Sequence, residues 1–274
     1  MMLSGVLLAH SDDFCYDDER CDPYAWGDNY PSCHPLLESH HSPINLNHQL
    51  TKNGSLDSLN LEGFNLTPKG HWRLVNQGYS IVLEVGDGMQ VSGGGLPGIY
   101  RTVQLHFHWG SVFTSGSEHT LDHLRFPMEV SSLHNENFHP ISSALSFVAY
   151  KGQTKPIPPF PLINLLPQNN LAQYYRYHGS LTTPPCSQVV LWTVYEVPIY
   201  ISWSQFDRFI SGIYSTQEDE NDQALLHDNY RHIHPTYSRT VYASKDARRL
   251  TNRASCLTLF HLLNVLQLFG LLNL

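Results

Sequence analysis

The stretch QLHFHWG, Gln104 to Gly110, sets His106 and His108 two residues apart among bulky apolar side chains. In an extended strand, residues two apart point to the same face. Both imidazoles therefore project together, while Leu105, Phe107 and Trp109 turn the other way. Two imidazoles held on one stiff strand suit a divalent metal. A catalytic zinc ion takes three protein ligands and keeps a fourth position for water. A histidine pair of this spacing also fits a polar pair lining a cleft, and most of the 17 histidines need no metal.

The elements that must carry this pair read as strands and loops. Short apolar or alternating runs (YSIVLEV at 79–85, TVQLHFHW at 102–109, VVLWTVYEV at 189–197, RTVYAS at 239–244) are separated by Gly, Pro, Asn and Ser. Tyr, Val, Ile and Phe are frequent in them, as pleated strands prefer. Helical periodicity is confined to SWSQFDRFISGIY at 202–214 and ENDQALLHDNY at 220–230. The expected fold is mostly β within an α+β class. It is a single domain with a large, twisted, mainly antiparallel central sheet and short peripheral helices.

The chain has 274 residues, enough for one large core. A net charge of −8 argues against nucleic acid as a partner. Four of the five cysteines, Cys15, Cys21, Cys33 and Cys186, lie in the body of the chain, and Cys256 sits in the last apolar run. Four body cysteines suggest two disulfides and an oxidising compartment, with buried free thiols as the alternative. The glycosylation sequons at Asn53 and Asn65 favour the secretory route.

Residues 1–14 resemble a truncated leader. Residues 246–274 read as a polar spacer and an apolar tail, with no formal charge from Ala254 onward. Small residues such as Ala243 and Ser244 ahead of them complete the pattern of a GPI-anchor signal. A transmembrane helix and a buried core helix are the alternatives. The domain itself is expected over 15–245.

Further motifs occur in a fixed order: SPINL at 42–46, GGGLPGIYR at 93–101, QLHFHWG, GSEHTLD at 116–122, GSLTTPPC at 179–186 and LWTVYE at 191–196. From about Trp26 to Ser244 the chain resembles the α-class carbonic anhydrases, and most of all their extracellular, membrane-anchored members. The resemblance implies pairing of Cys15 with Cys21 and of Cys33 with Cys186. It implies a Zn²⁺ cofactor that lowers the pKa of its bound water to about 7, with carbon dioxide as substrate and bicarbonate as product. It places the enzyme at the outer face of the plasma membrane, lipid-anchored or secreted.

By the same resemblance His106 and His108 are the first two zinc ligands. Thr182 accepts a hydrogen bond from the zinc-bound hydroxide and donates its own proton to Glu118, because an ionised carboxylate can only accept. Gln104 and Glu129 orient the imidazoles. Leu181, Thr183 and Trp192 line the carbon dioxide pocket.

Two departures stand out. The position of the proton-shuttling histidine is Tyr79, and a phenol with a pKa of about 10 is a poor shuttle at neutral pH. The third ligand position falls on Ser131, whose neutral hydroxyl binds zinc weakly. Strand alternation turns His134 away, and His139 approaches only if the segment leaves the family path. The chain also passes from FPME directly to VSSLHNENFH, as though roughly thirty residues, two strands and a loop, were deleted near 129–130. One central strand is thus expected to be missing, zinc weakly held and activity low. A splice or gene-assembly variant of an ordinary enzyme, and an inactive relative with a binding role or none, both fit this reading.

Overall fold

The computed structural model describes residues 14–47, 51–52, 55–126, 130–131, 135–247 and 265–266. Ten strands precede the deletion point or lie beside it: β1 Asn45–Leu46, β2 Thr51–Lys52, β3 Leu59–Glu62, β4 Trp72–Asn76, β5 Ile81–Glu84, β6 Gln90–Gly93, β7 Tyr100–Arg101, β8 Gln104–His106, β9 Thr120–Leu121 and β10 Val130–Ser131. Six follow: β11 Thr154–Ile157, β12 Tyr174–Gly179, β13 Val190–Tyr195, β14 Ile201–Ser202, β15 Tyr242–Ala243 and β16 Val265–Leu266. The α-helices are short: α1 Trp26–Asn29, α2 His139–Ser142 and α3 Trp203–Ile210. The mostly β reading of the sequence agrees with this architecture.

Among the described residues the strands form several sheets: a four-stranded antiparallel sheet in the order β11-β4-β5-β8 and a five-stranded sheet in the order β16-β13-β12-β15-β2. A three-stranded sheet, β3-β6-β7, and two parallel pairs, β1-β9 and β10-β14, accompany them. Among the described residues no strand pairs with the outer side of β8, and β13 meets only the two residues of β16 on its outer side, so no described ladder joins the two main sheets.

The four-stranded sheet is built on burial. In β4, Trp72, Leu74 and Asn76 face inward, and in β5 Ile81, Val82 and Leu83 are all buried. Asn76 is fully buried and satisfied: Nδ2 donates to the carbonyls of Val148, Ala149 and Tyr214 at 3.0–3.1 Å, and Oδ1 accepts from Gly78 N at 2.8 Å. Gly78 has φ +84°, which glycine adopts freely, so the turn leading to Tyr79 is fixed by chemistry as well as by sterics.

One apolar cluster joins Trp72, Leu74, Ile81, Leu83, Phe138, Phe206 and Phe209 across the four-stranded sheet and α3. A second joins Ile44, Leu46, Tyr175, Tyr177, Val190, Trp192 and Val194 on one face of β12 and β13. Helix α3 matches its sequence signal. Ser202 and Gln205 form a reciprocal capping box, and Phe206, Phe209 and Ile210 form the buried stripe. The run at 220–230 is not helical. Its backbone pairs outward instead, Leu226 N to Ile213 O at 2.8 Å and Ser215 N to Ala224 O at 2.9 Å, which uses groups a helix would need internally.

Disulfides join Cys15 to Cys21 and Cys33 to Cys186. The second closes 153 residues of chain and packs with Trp26 in a small apolar cluster. Asn65 is exposed on the turn after β3. Asn53, residues 1–13 and most of the tail lie outside the described residues. Among those described, no helix is long and apolar enough to cross a membrane.

Candidate metal centre

His106 ends β8 opposite Val82, and His108 follows two residues later. Their ring centroids are 5.0 Å apart with planes at 81°, so the two imidazoles converge as their spacing demands. Burial, with the neighbouring His108 second, pushes the His106 pKa down to about 3. The ring is therefore neutral at physiological pH, the form a metal requires. His108 Nδ1 lies 2.6 Å from the carbonyl oxygen of Asn229. A carbonyl only accepts, so Nδ1 carries the proton and Nε2 presents its lone pair.

That lone pair is the most informative atom in the centre. His108 Nε2 is buried and makes no hydrogen bond. It stands 3.4 Å from Glu118 Oε2, itself buried, and the two form an ion pair only if His108 is protonated. Two acceptors facing each other in a low-dielectric site favour a positive charge between or beside them. His106 and His108 thus fit a zinc ion as two of its ligands.

Among the described residues no group of three His, Cys, Asp or Glu side chains could hold a metal. The Ser131 backbone runs in β10, which pairs in parallel with β14, Val130 opposite Ile201 and Ser131 opposite Ser202, and not with β8. His139 opens α2 and is exposed. His134 and Glu129 lie outside the described residues. Among the described residues the chain does not present a closed three-ligand cradle.

Glycines place the surrounding loop. A Cβ on Gly116 would lie 1.8 Å from Gly110 N, so only glycine lets the strand end and the GSEHT segment approach this closely. That contact brings Glu118 beside His108. Glu118 Oε1 accepts from Arg231 N at 3.3 Å. Arg231 is buried, its Nη1 donates to the Ser42 carbonyl at 3.1 Å, and burial lowers its pKa to about 10. Thr182 is 1% exposed and its Oγ1 has no hydrogen-bond partner, so the bond to Glu118 implied by the resemblance is not formed here.

Trp192 is buried, donates from Nε1 to the Ser180 carbonyl at 3.0 Å, and has Leu181 packed against its cluster. Thr183 is half-buried beside Thr182. Gln104 lies on β8 two residues before His106, hence on the same face, opposite Glu84. Tyr79 packs its ring 4.9 Å from Phe14, and burial raises its pKa above the ordinary phenol value. With Tyr16, Lys151 and His227 it borders a cleft of about 250 Å³.

Sequence reasoning missed three participants: Asn229, which holds His108 through its backbone; Arg231, which holds Glu118; and Tyr16. The Tyr16 hydroxyl is buried without a partner, and burial followed by the Glu118 charge raises its pKa. A backbone carbonyl leaves no side-chain signal, and Tyr16 was hidden beside a cysteine that drew attention to itself.

His106 and His108 converge at the end of a β-strand, with Glu118 buried beside His108. The chain belongs to the eukaryotic-type carbonic anhydrase family, whose reaction is the reversible hydration of carbon dioxide to bicarbonate: the family model matches it over residues 21–137 and again over 130–245. It is 34% identical to carbonic anhydrase 12 of Homo sapiens over 253 residues, covering 80% of this chain and 70% of that protein. It is 35% identical to carbonic anhydrase 4 of Oryctolagus cuniculus over 247 residues, with 78% of each covered. Against carbonic anhydrase 15 of Mus musculus the identity is 32% over 290 residues, 91% of this chain and 88% of the relative.

Proposed function

We propose that this chain is a carbonic anhydrase whose zinc cradle lacks one protein ligand, so that it binds zinc weakly and hydrates carbon dioxide slowly. His106 and His108 are its two ligands. Thr182 and Glu118 are the pair that would orient a bound hydroxide, the threonine hydroxyl donating to the carboxylate. Gln104 and Glu129 orient the imidazoles, and Leu181, Thr183 and Trp192 wall the substrate pocket. The single observation that carries this reading is the pairing of Ser131 with Ser202, away from β8.

Two comparisons support a deleted segment. The family match comes in two pieces that overlap at 130–137. The alignment with the mouse carbonic anhydrase 15 spans 290 residues although this chain has 274, so the relative contributes residues that have no counterpart here. The two disulfides and the exposed Asn65 support an extracellular setting, with the apolar tail as a lipid-anchor signal. A second reading, an inactive relative with a binding role, draws on the 29% identity to receptor-type tyrosine-protein phosphatase zeta of Homo sapiens, matched over 11% of that protein.

The test is zinc content after dialysis against a mild chelator, followed by stopped-flow carbon dioxide hydration. Substoichiometric zinc and slow hydration are expected, both restored by inserting a family segment with the third histidine at the Glu129–Val130 junction. Stoichiometric zinc with rapid hydration in the unmodified chain refutes the proposal. Failure of the insertion to restore either favours the inactive-relative reading.

A further inference from the structure

The β12–β13 pair has two faces. On one, Tyr175 and Tyr177 pack into the apolar cluster that holds Trp192. Arg176 lies on the other, opposite Thr193 of β13 and Tyr242 of β15. Tyr174, two residues before Arg176, and Tyr195, two residues after Thr193, share that face. Arg176 and Tyr195 are both buried, at 3% and 1% exposure.

Arg176 Nε donates to Thr193 Oγ1 at 2.9 Å, and the guanidinium lies 5.3 Å from the Tyr174 ring, so the fork is held from two sides. Among the described residues its Nη1 and Nη2 have no hydrogen-bond partner, and neither has the Tyr195 hydroxyl. The Tyr174 hydroxyl is turned to the carbonyls of Asp57 and Gly94 instead. Arg176 and Tyr195 are diagonal cross-strand neighbours, a separation that long side chains bridge. Burial, then Tyr174, raises the Tyr195 pKa while the Arg176 charge pulls it down, so the phenol keeps its proton at neutral pH.

The unpaired groups on this face are therefore donors beside a buried positive charge. A guanidinium has no acceptor of its own, and a buried charge without a partner is costly. A water molecule would bring donors as well as acceptors and no charge. A small planar oxyanion brings acceptors alone, spaced to meet the fork with two parallel hydrogen bonds, and neutralises the cation. We propose that Arg176 and Tyr195 form a binding site for such an anion, of the nitrate, formate or bicarbonate kind. Nη1 and Nη2 grip two of its oxygens and the Tyr195 hydroxyl donates to the same ion. The site shares no residue with the histidine pair and does not depend on the zinc reading.

The test uses the full chain in EDTA, so that no metal takes up an anion. Melting temperature is followed as sodium nitrate replaces sodium gluconate, whose anion is too bulky for a buried fork, at constant pH and ionic strength. A saturable rise is expected in the unmodified chain and none in Arg176→Met. Tyr195→Phe should keep the rise but need about fivefold more nitrate to reach its midpoint, the loss of one hydrogen bond. No rise in the unmodified chain, or an equal rise in Arg176→Met, overturns the proposal. Should Arg176→Met fail to fold, an unchanged midpoint in Tyr195→Phe overturns it.

Discussion

Glu118 Oε2 and His108 Nε2 face each other at 3.4 Å, both buried, with no hydrogen between them unless the imidazole is protonated. The carboxylate is held from behind by the Arg231 backbone, and the imidazole by the Asn229 carbonyl, so neither turns aside easily. Both holders belong to one segment, Asn229–Arg231, which fixes the facing pair from a single direction.

Replacing Glu118 by Gln should therefore lower zinc affinity. The amide keeps an oxygen for Arg231 N and offers an N–H to His108 Nε2, a donor that occupies the lone pair zinc would use. It also removes the charge beside the buried Arg231 guanidinium, so the metal-free protein should lose stability as well. Zinc competition titrations and urea unfolding of the apoprotein check the two effects.

Acid should weaken the fold through a second histidine group. His41, His232 and His234 cluster, with ring centroids 5.0 Å apart and edge-on for His41–His234 and 4.5 Å apart and tilted for His232–His234. Burial, then Arg231, lowers His41 and His232 to about 4, and His234 is lowered further. Arg239 opposes protonation of His41 and His234, while Glu38 favours it at His41 and His232 and Asp22 at His232. Because the folded pKa values lie below the unfolded value of about 6.5, the unfolded chain takes up protons first as pH falls. Stability from this group is complete above about pH 7 and is lost as pH falls from about 6.5 toward 4. Melting temperature measured from pH 7.5 to 4.5 should decline, and His234→Gln should flatten the decline.

Arg176 is 3% exposed, and among the described residues its Nη1 and Nη2 have no acceptor; Nε donates to Thr193 Oγ1 at 2.9 Å and the guanidinium lies 5.3 Å from the Tyr174 ring. A buried cation without a counter-ion costs several kcal/mol. Arg176→Met keeps the chain length of the apolar stem and removes the charge. It should raise unfolding free energy by about 1–3 kcal/mol in urea titrations, where most core substitutions lower it.

Proton removal should limit the repaired enzyme. In a chain with the family segment restored, Tyr79→His should raise the hydration rate at least severalfold in well-buffered solution. An ordinary phenol titrates near 10, and burial raises Tyr79 further. No gain on substitution would exclude this position as the exit for protons.

Much of the architecture could be read from local pattern. Alternation in β4, the apolar run of β5 and the capping box of α3 each follow from neighbouring residues alone, as does the convergence of His106 with His108. What local pattern did not supply is which strand lies beside which. Ser131 could be counted to the ligand position, but pairing with β14 depends on strands that the rest of the chain makes available. The 220–230 run failed for a related reason: its helical spacing is real, but Ile213 and Ser215 offer its backbone extended partners. Asn229 and Arg231 were invisible because their decisive contacts use main-chain atoms.

The Cys33–Cys186 bridge gives the last consequence. Cys186 follows Thr182 by four residues, and its N–H donates to the Thr183 carbonyl. The threonine loop is thus tethered by sulfur to a segment 153 residues away in sequence. In a thiol-rich environment such as the cytosol that tether would be cut, and the loop carrying Thr182 would slacken whatever the metal supply. Folding under reducing conditions would loosen this loop by a route unrelated to any metal.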